Sequence, residues 1–473
     1  MQNLSYIFSK INEFINGLVW GTPMLILIVG TGLYFSIRTD FLQLRKFNYI
    51  MKNTIGKAFE KEKVRDKGSI SPFQAVTTAL AGTVGTGNIA GVAGAITLGG
   101  PGAIFWMWIS AVFGMVTKYS EVLLAVKFRE RNRQGDWVGG PMYYIRNGLG
   151  KWWKWLAILF SLFGMLSAFG IGNMTQANTI AESAVALTNE FAGNSIISGS
   201  KSDILIRLSV GFIISLSAAL VLLGGLKRIG SVTEKLVPAM SIIYIIGTLT
   251  VIFANIDQIG YVLKSIVIGA FNPKAVFGGA IGIGVMRAIK LGMGRGIFSN
   301  EAGLGSAPIA HASTSETNPV KQGFFGVFEV FADTIVICTL TALAILVSGA
   351  KIPYGQAAGA ELTISAFSCA FGGKAAGIIL TACITLFALA SILSWALYGS
   401  RCAEFIFGTK VLTLYKSIFV VFIIIGSAID MGIAWSVADT LNGLMAVPNL
   451  VAILLLSPIV IKATKEFFKG GVP

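Results

Sequence analysis

Polar side chains carry most meaning where the chain around them is apolar. The run Ala81-Gly82-Thr83-Val84-Gly85-Thr86-Gly87-Asn88-Ile89-Ala90-Gly91 sits inside an apolar stretch and combines two threonines and an asparagine with four glycines. Each glycine weakens a helix by ~1 kcal/mol relative to alanine. Glycines that serve only close helix packing keep to one face; the pair at 85 and 87 breaks that face. An unwound stretch accounts for both the glycines and the polar side chains. Non-helical backbone at membrane depth is tolerated only where it is buried in protein or lines a cavity. Carbonyls freed there can coordinate a cation, and the amino end of a half-helix can face a carboxylate.

A second glycine-rich run, 292–308, carries Ser299, Asn300 and Glu301 in an apolar context, and a break is expected over 292–300. Glu301 suits either a helix cap or an ion ligand. Further ionisable residues fall inside apolar segments, where each costs a few kcal/mol. Lys118 and Glu121 are three apart and are expected to pair on one helix face. Glu329 and Asp333 are four apart; Asp333 could serve an ion, a proton or a helix–helix hydrogen bond. Gln176, costly in lipid, is expected to face a cavity or a partner. Thr385, Ser391 and Ser394 could bond back to their own helix or offer hydroxyl oxygens to a hard cation. His311 is the only histidine, which excludes a His-rich metal site. Cys338, Cys369, Cys383 and Cys402 form no CxxC pair and suit small packing residues.

The elements that must position these residues follow from composition. The 473 residues are 54% hydrophobic and 12% charged, where soluble domains carry roughly 25% charge. The apolar blocks are near the ~20 residues that span a bilayer core. An all-α polytopic membrane protein is therefore expected, with eleven spans at about 16–37, 72–98, 101–128, 153–188, 203–224, 232–254, 276–310, 318–348, 375–400, 411–430 and 435–461. The first apolar block lacks a small-residue cleavage site and is expected to be retained. The segment 256–271 is apolar but short and is expected to lie on the outer surface as a helix. The net charge of +15 does not point to nucleic acid, because most Lys and Arg fall in loops on alternate sides of the spans, above all in 38–67 and 127–154. That asymmetry places the N-terminus outside and the C-terminus in the cytoplasm.

The two breaks fall in spans two and seven. Residues 72–254 and 276–461 then form two five-helix repeats of inverted topology, preceded by an N-terminal helix and basic loop over 1–71, with a binding site between the broken helices. A channel would show rings of like charge or a filter repeated by symmetry, and an enzyme would show clustered acid–base or metal ligands; neither pattern is present in the sequence.

The runs 83–91 and 295–308, with Gly139-Gly140-Pro141-Met142-Tyr143, Gly170-Ile171-Gly172-Asn173-Met174 and Ala438-Asp439-Thr440-Leu441-Asn442-Gly443, resemble the alanine/glycine:cation symporter family across about 16–461. The resemblance implies a LeuT-like 5+5 inverted repeat with one extra N-terminal helix, in a cell membrane. It implies transport of alanine or glycine with sodium, or a proton, and no cofactor beyond the coupling ion. By the same resemblance substrate contacts fall on Thr86, Gly87, Asn88, Phe169, Gln176, Phe298, Ser299, Asn300 and Trp395. A sodium site would use carbonyls at Ala81 and Val84 with oxygens around Ala388 and Ser391. Arg287 and Lys290 put more charge into 286–295 than the family pattern leads one to expect.

Overall fold

The computed structural model describes residues 2–57, 68–192, 197–272, 284–429 and 432–470, with the side chains of 2–9 and 432–434 left aside. Among the described residues it is almost wholly helical, and the one sheet is a hairpin pairing Glu130–Arg131 with Trp137–Val138. Among the described residues nine helices are long and apolar enough to cross a membrane, ten if the bent pair Pro72–Thr83 and Thr86–Gly99 is one span. The remaining expected span, 276–310, falls partly on 273–283, outside the described residues, as do Lys61, Lys63, Arg65 and Lys67 of the basic loop. The apolar segment 256–271 forms the short helix Ile259–Phe271.

The first broken helix has a defined start and a defined break. Ser71 accepts from the Gln74 backbone while the Gln74 side chain accepts from the Ser71 backbone, and Pro72 stands in the first turn. This reciprocal cap satisfies donors that a helix start otherwise leaves unpaired. The helix ends at Thr83, and Gly85 is fully extended (φ −139°, ψ −158°). A short 3-10 turn over Thr86–Asn88 leads into Ala90–Gly99, and the two halves meet at 57°.

The second break is displaced from its expected place. Residues Val285–Asn300 form one continuous helix through the glycines at 292, 294 and 296. Two of those glycines serve close packing on Gly102–Lys127. A Cβ at Gly292 would lie 2.1 Å from the Ala103 carbonyl oxygen, and one at Gly296 would lie 2.3 Å from Ser110 Oγ. The chain leaves the helix at Glu301, which is left-handed (φ 54°), and stays irregular through Gly303 (φ 91°) and Gly305 (φ 81°) until the turn Pro308–His311. The interruption therefore occupies 301–307 rather than 292–300. Glycine spacing alone does not tell a packing face from a break.

The helix Gly373–Phe407 runs through the interior, and every residue from 390 to 404 is buried. A helix without a polar face belongs in such a position. On the periphery, Leu205, Phe212, Ile213, Leu216 and Leu220 of Lys201–Leu222 are exposed. An apolar surface of that extent fits contact with lipid tails.

The packing role of these glycines is testable. Gly292→Val should destabilise the protein by about 1–3 kcal/mol through overpacking. Gly294→Ala, whose added Cβ meets nothing within 4 Å, should be neutral or mildly stabilising. Melting of the purified protein followed by size-exclusion fluorescence checks both.

Candidate functional site

A single carboxylate draws the two interrupted segments together. The helix Pro319–Val330 continues as a π-helical stretch, Phe331–Cys338, before resuming at Thr339. π-Bulges re-aim side chains and are frequent at functional sites. Here the bulge holds Asp333, which is fully buried. Asn88 Nδ2 donates to Asp333 Oδ1 at 2.6 Å and Ser299 Oγ donates to Oδ2 at 2.9 Å. Thr334 Oγ1 also donates to Oδ2, at 2.7 Å, and itself accepts from Asn300 Nδ2 at 3.1 Å. Asn88 is the end of the first break, while Ser299 and Asn300 are the last helical residues before the second.

Both asparagines also repair the backbone they interrupt. Asn88 Oδ1 accepts from the Gly85 N–H at 2.8 Å, and Asn300 Oδ1 accepts from the Ala302 N–H at 2.9 Å. Each replaces a helical hydrogen bond that the break removes, as burial requires.

The other expected substrate contacts divide into two groups. Thr86 Oγ1 donates to Gln176 Oε1 at 3.3 Å, and Gln176 Nε2 donates to the Ile171 carbonyl at 3.1 Å. Gly87 faces Phe298: a Cβ there would lie 3.8 Å from the ring. Phe298 in turn meets Trp20, with centroids 5.9 Å apart. Thr86, Gly87, Asn88, Gln176, Phe298, Ser299 and Asn300 are thus linked around the breaks. Phe169 instead joins an aromatic cluster, 5.0 Å from Tyr415, 5.6 Å from Phe419 and 5.0 Å from Phe422. Trp395 lies against Gly172 of the π-helical stretch Gly170–Met174; a Cβ at Gly172 would overlap it at 2.1 Å.

The expected cation ligands lie on facing elements. Ala81 is in the last turn of Pro72–Thr83, and Val84 follows its end. Ala388 and Ser391 are buried in Gly373–Phe407. Ser391 Oγ donates to the Phe387 carbonyl at 3.1 Å, yet it also lies beside the break, 2.8 Å from where a Gly85 Cβ would be. Its proton is committed to its own helix, so its lone pairs are what it can offer a cation. Ser394 donates across to the Thr78 carbonyl, whereas Thr385 bonds only back to Thr381.

The two ends of this assembly differ. At the Pro72 end, Ile70 exchanges backbone hydrogen bonds with Ser313 and Ser315 (3.0 and 2.8 Å). Arg129 donates to the carbonyls of Ala312, Thr314 and Glu316. At the Gly99 end, Trp20, Arg295, Phe298, Trp435 and Asp439 line an open vestibule.

Three features were not apparent from the sequence. Lys118 pairs with Glu329 (3.4 Å) rather than with Glu121, which accepts instead from Asn449. His311 Nε2 is 3.0 Å from the other Glu329 oxygen, and its Nδ1 is 2.8 Å from Gln322. Glu301 accepts from the Ser306 hydroxyl within the second break and caps the end of Val285–Asn300 rather than the start of the next half-helix. A polar residue inside an apolar span announces only that a partner exists; the partner is set by tertiary packing.

Removing the Asp333 carboxylate would take the acceptor of Thr334 Oγ1 and leave Asn88 and Ser299 with only their longer bonds to the Asp333 carbonyl and the Cys338 sulfur, and a buried donor left unpaired costs about 1–3 kcal/mol. Asp333→Ala should therefore melt far below the parent protein or fail to accumulate. Thr385→Ala should stay within about 0.5 kcal/mol, because Thr385 serves only its own helix. Thermal unfolding of the two variants side by side tests the difference.

The chain belongs to the sodium:alanine symporter family, which it matches over residues 5–471. It is 41% identical over 464 residues to a sodium/alanine symporter, AgcS, of Methanococcus maripaludis, covering 97% of each chain. It is 38% identical over 465 residues to a probable sodium/glutamine symporter, GlnT, of Bacillus subtilis, covering 98% of this chain and 91% of that one. Its fold is that of the LeuT-type transporters. The crystal structure of MhsT in complex with L-phenylalanine superposes with a TM-score of 0.53 at 13% identity, over 84% of this chain and 98% of the other. This is a multi-pass membrane transporter of the cation-coupled amino-acid class, and not an enzyme.

Proposed function

We propose that this protein is a sodium-coupled symporter that imports alanine or glycine by alternating access. The observation that carries the reading is the convergence of both interrupted segments on Asp333, with Ser391 beside Gly85 and Phe298 over Gly87.

In this reading the cation binds carbonyls near Ala81 and Val84 together with Ser391 Oγ and backbone at Ala388. Hard cations favour such all-oxygen sets. The substrate carboxylate takes backbone N–H donors of the first break, reinforced by the positive end of Ala90–Gly99. Its ammonium faces Gln176 Oε1 and Thr86 Oγ1. Asn88, Ser299 and Asn300 act chiefly by holding the breaks in register through Asp333 and Thr334. Phe298 closes over the site from the vestibule, and its ring, within 3.8 Å of where a Cβ on Gly87 would lie, limits the size of the side chain. Phe169 and Trp395 act from behind, by fixing the stretch Gly170–Met174 that carries Gln176 into place.

The vestibule is the outer side and the Ile70–Ser313 strap the cytoplasmic side, in keeping with the basic loops. Transport requires the strap to open while Phe298 closes. The halves 72–254 and 276–461 rock about the site. One charge moving through about 100 mV gains roughly 2.3 kcal/mol, enough for about 50-fold accumulation of a neutral substrate. The sodium gradient adds to this.

Similarity to the probable sodium/glutamine symporter favours a second reading, in which the cargo has a longer amide side chain. Competition against labelled alanine separates the two: excess glycine should compete and glutamine should not. An inward sodium gradient should drive alanine into proteoliposomes, and a sodium ionophore should abolish the uptake. Uptake unchanged by collapse of both the sodium and the proton gradients refutes coupling. Ser391→Ala should raise the sodium concentration for half-maximal uptake by about tenfold, equivalent to ~1.4 kcal/mol. An unchanged value removes Ser391 from the cation site.

A further inference from the structure

We propose that the junction between the elbow after Arg38 and the C-terminal helix binds the phosphate headgroup of an anionic phospholipid. The helix Thr22–Arg38 turns sharply into Leu42–Arg45 and then Phe47–Thr54. The helix Ser457–Lys469 lies alongside, with Val460, Ile461 and Thr464 buried against the protein. Between them are two adjoining cavities of about 710 and 860 Å³, open mouths included, which share Lys465 and Lys469.

The charges on these cavities do not balance. Six cations line them: Arg38, Arg45, Lys46, Lys462, Lys465 and Lys469. Only two carboxylates do, Asp40 and Glu466. Each carboxylate has a cation at 3.8 Å, Asp40 with Arg45 and Glu466 with Lys462. Lys46 stands over the Phe468 ring, 5.2 Å from its centroid. Arg38, Lys465 and Lys469 are left with no ion-pair partner among the described residues. They ring one space from two separate elements.

The backbone at this place is strained. Asp40 (φ 53°) and Phe41 (φ 51°) are consecutive left-handed residues, and only Glu301 joins them among the described non-glycine residues. A bulky side chain in that region is an outlier, and such strain concentrates at functional sites. The elbow brings Asp40 and Arg45 onto the rim and leaves Ile37, Phe41 and Leu44 exposed beside it. An exposed apolar row next to a cationic rim belongs at the hydrocarbon boundary, where basic pockets recognise anionic headgroups.

The walls identify the occupant as an amphiphile. Leu42, Pro458, Ile461 and Phe468 give the cavities an apolar side beneath the cationic rim. A free phosphate would answer the charge and leave that side uncovered. A phospholipid answers both, with its phosphate among Arg38, Lys465 and Lys469 and its chains along the exposed apolar row.

The test uses the full-length protein in phosphatidylcholine nanodiscs with increasing phosphatidylglycerol. Phosphatidylglycerol should raise the melting temperature by about 3 °C, the scale of saturable ligand linkage. The triple variant Arg38→Gln, Lys465→Gln, Lys469→Gln should lose that rise. Asp40→Asn keeps the size of the side chain, and asparagine tolerates a left-handed backbone. This variant should reach the same rise at a lower phosphatidylglycerol fraction. A full rise in the triple variant overturns the proposal. So does an equal rise on adding phosphatidylcholine alone, or one produced by inorganic phosphate without anionic lipid. If the triple variant does not fold, Asp40→Asn decides alone: an unchanged or higher half-maximal fraction counts against the site.

Discussion

Everything near the centre of this protein depends on keeping broken backbone satisfied where no bulk water reaches. A helix interrupted inside a membrane leaves donors and acceptors unpaired, each costing several kcal/mol in hydrocarbon. Here the side chains at the breaks supply the replacements. Asn88 serves the Gly85 N–H and Asn300 serves the Ala302 N–H, and their amide N–H groups are in turn received by Asp333 and Thr334. The π-helical stretch Phe331–Cys338 exists in the same economy: an irregular turn in one helix supports the irregular turns of two others.

How much of this was legible in the sequence depends on what each residue's meaning rests on. The first break could be read because its glycines and polar residues fall together at mid-span, and only unwinding explains both. The second was misplaced by several residues. Gly292 and Gly296 press against Ala103 and Ser110, and a glycine that admits a neighbour looks the same in sequence as one that bends the chain. Positive φ at 301, 303 and 305 marks the true site, and φ is not written in residue types except as a glycine preference that 292–296 shares. Asp333 was visible as an anomaly, but its partners come from 34 and 245 residues away. Lys118 shows the same limit: its neighbour in sequence, Glu121, is not its neighbour across the helix interface. Phe169 belongs to an aromatic cluster built mainly by Leu412–Ala428, which local pattern could not reveal.

The two ends of the molecule are closed by different chemistry. At the Pro72 end closure is by directional bonds: a backbone bridge at Ile70 and a guanidinium spanning three carbonyls. At the Gly99 end the barrier above Gly87 is the Phe298 ring, tilted at 58° to that of Trp20 with centroids 5.9 Å apart. Directional bonds must break together, whereas a ring can swing within its rotamers.

Asp333 has one further consequence. Asn88 and Ser299 hang from opposite oxygens of its carboxylate, so the two interrupted segments are separated by the width of a single functional group. Kinematically this is a pin joint. It fixes a point common to both segments, beside the direct packing of Val285–Asn300 on Ala90–Gly99. Sliding the segments apart would cost the pin itself. The tie holds both interrupted segments to one buried carboxylate.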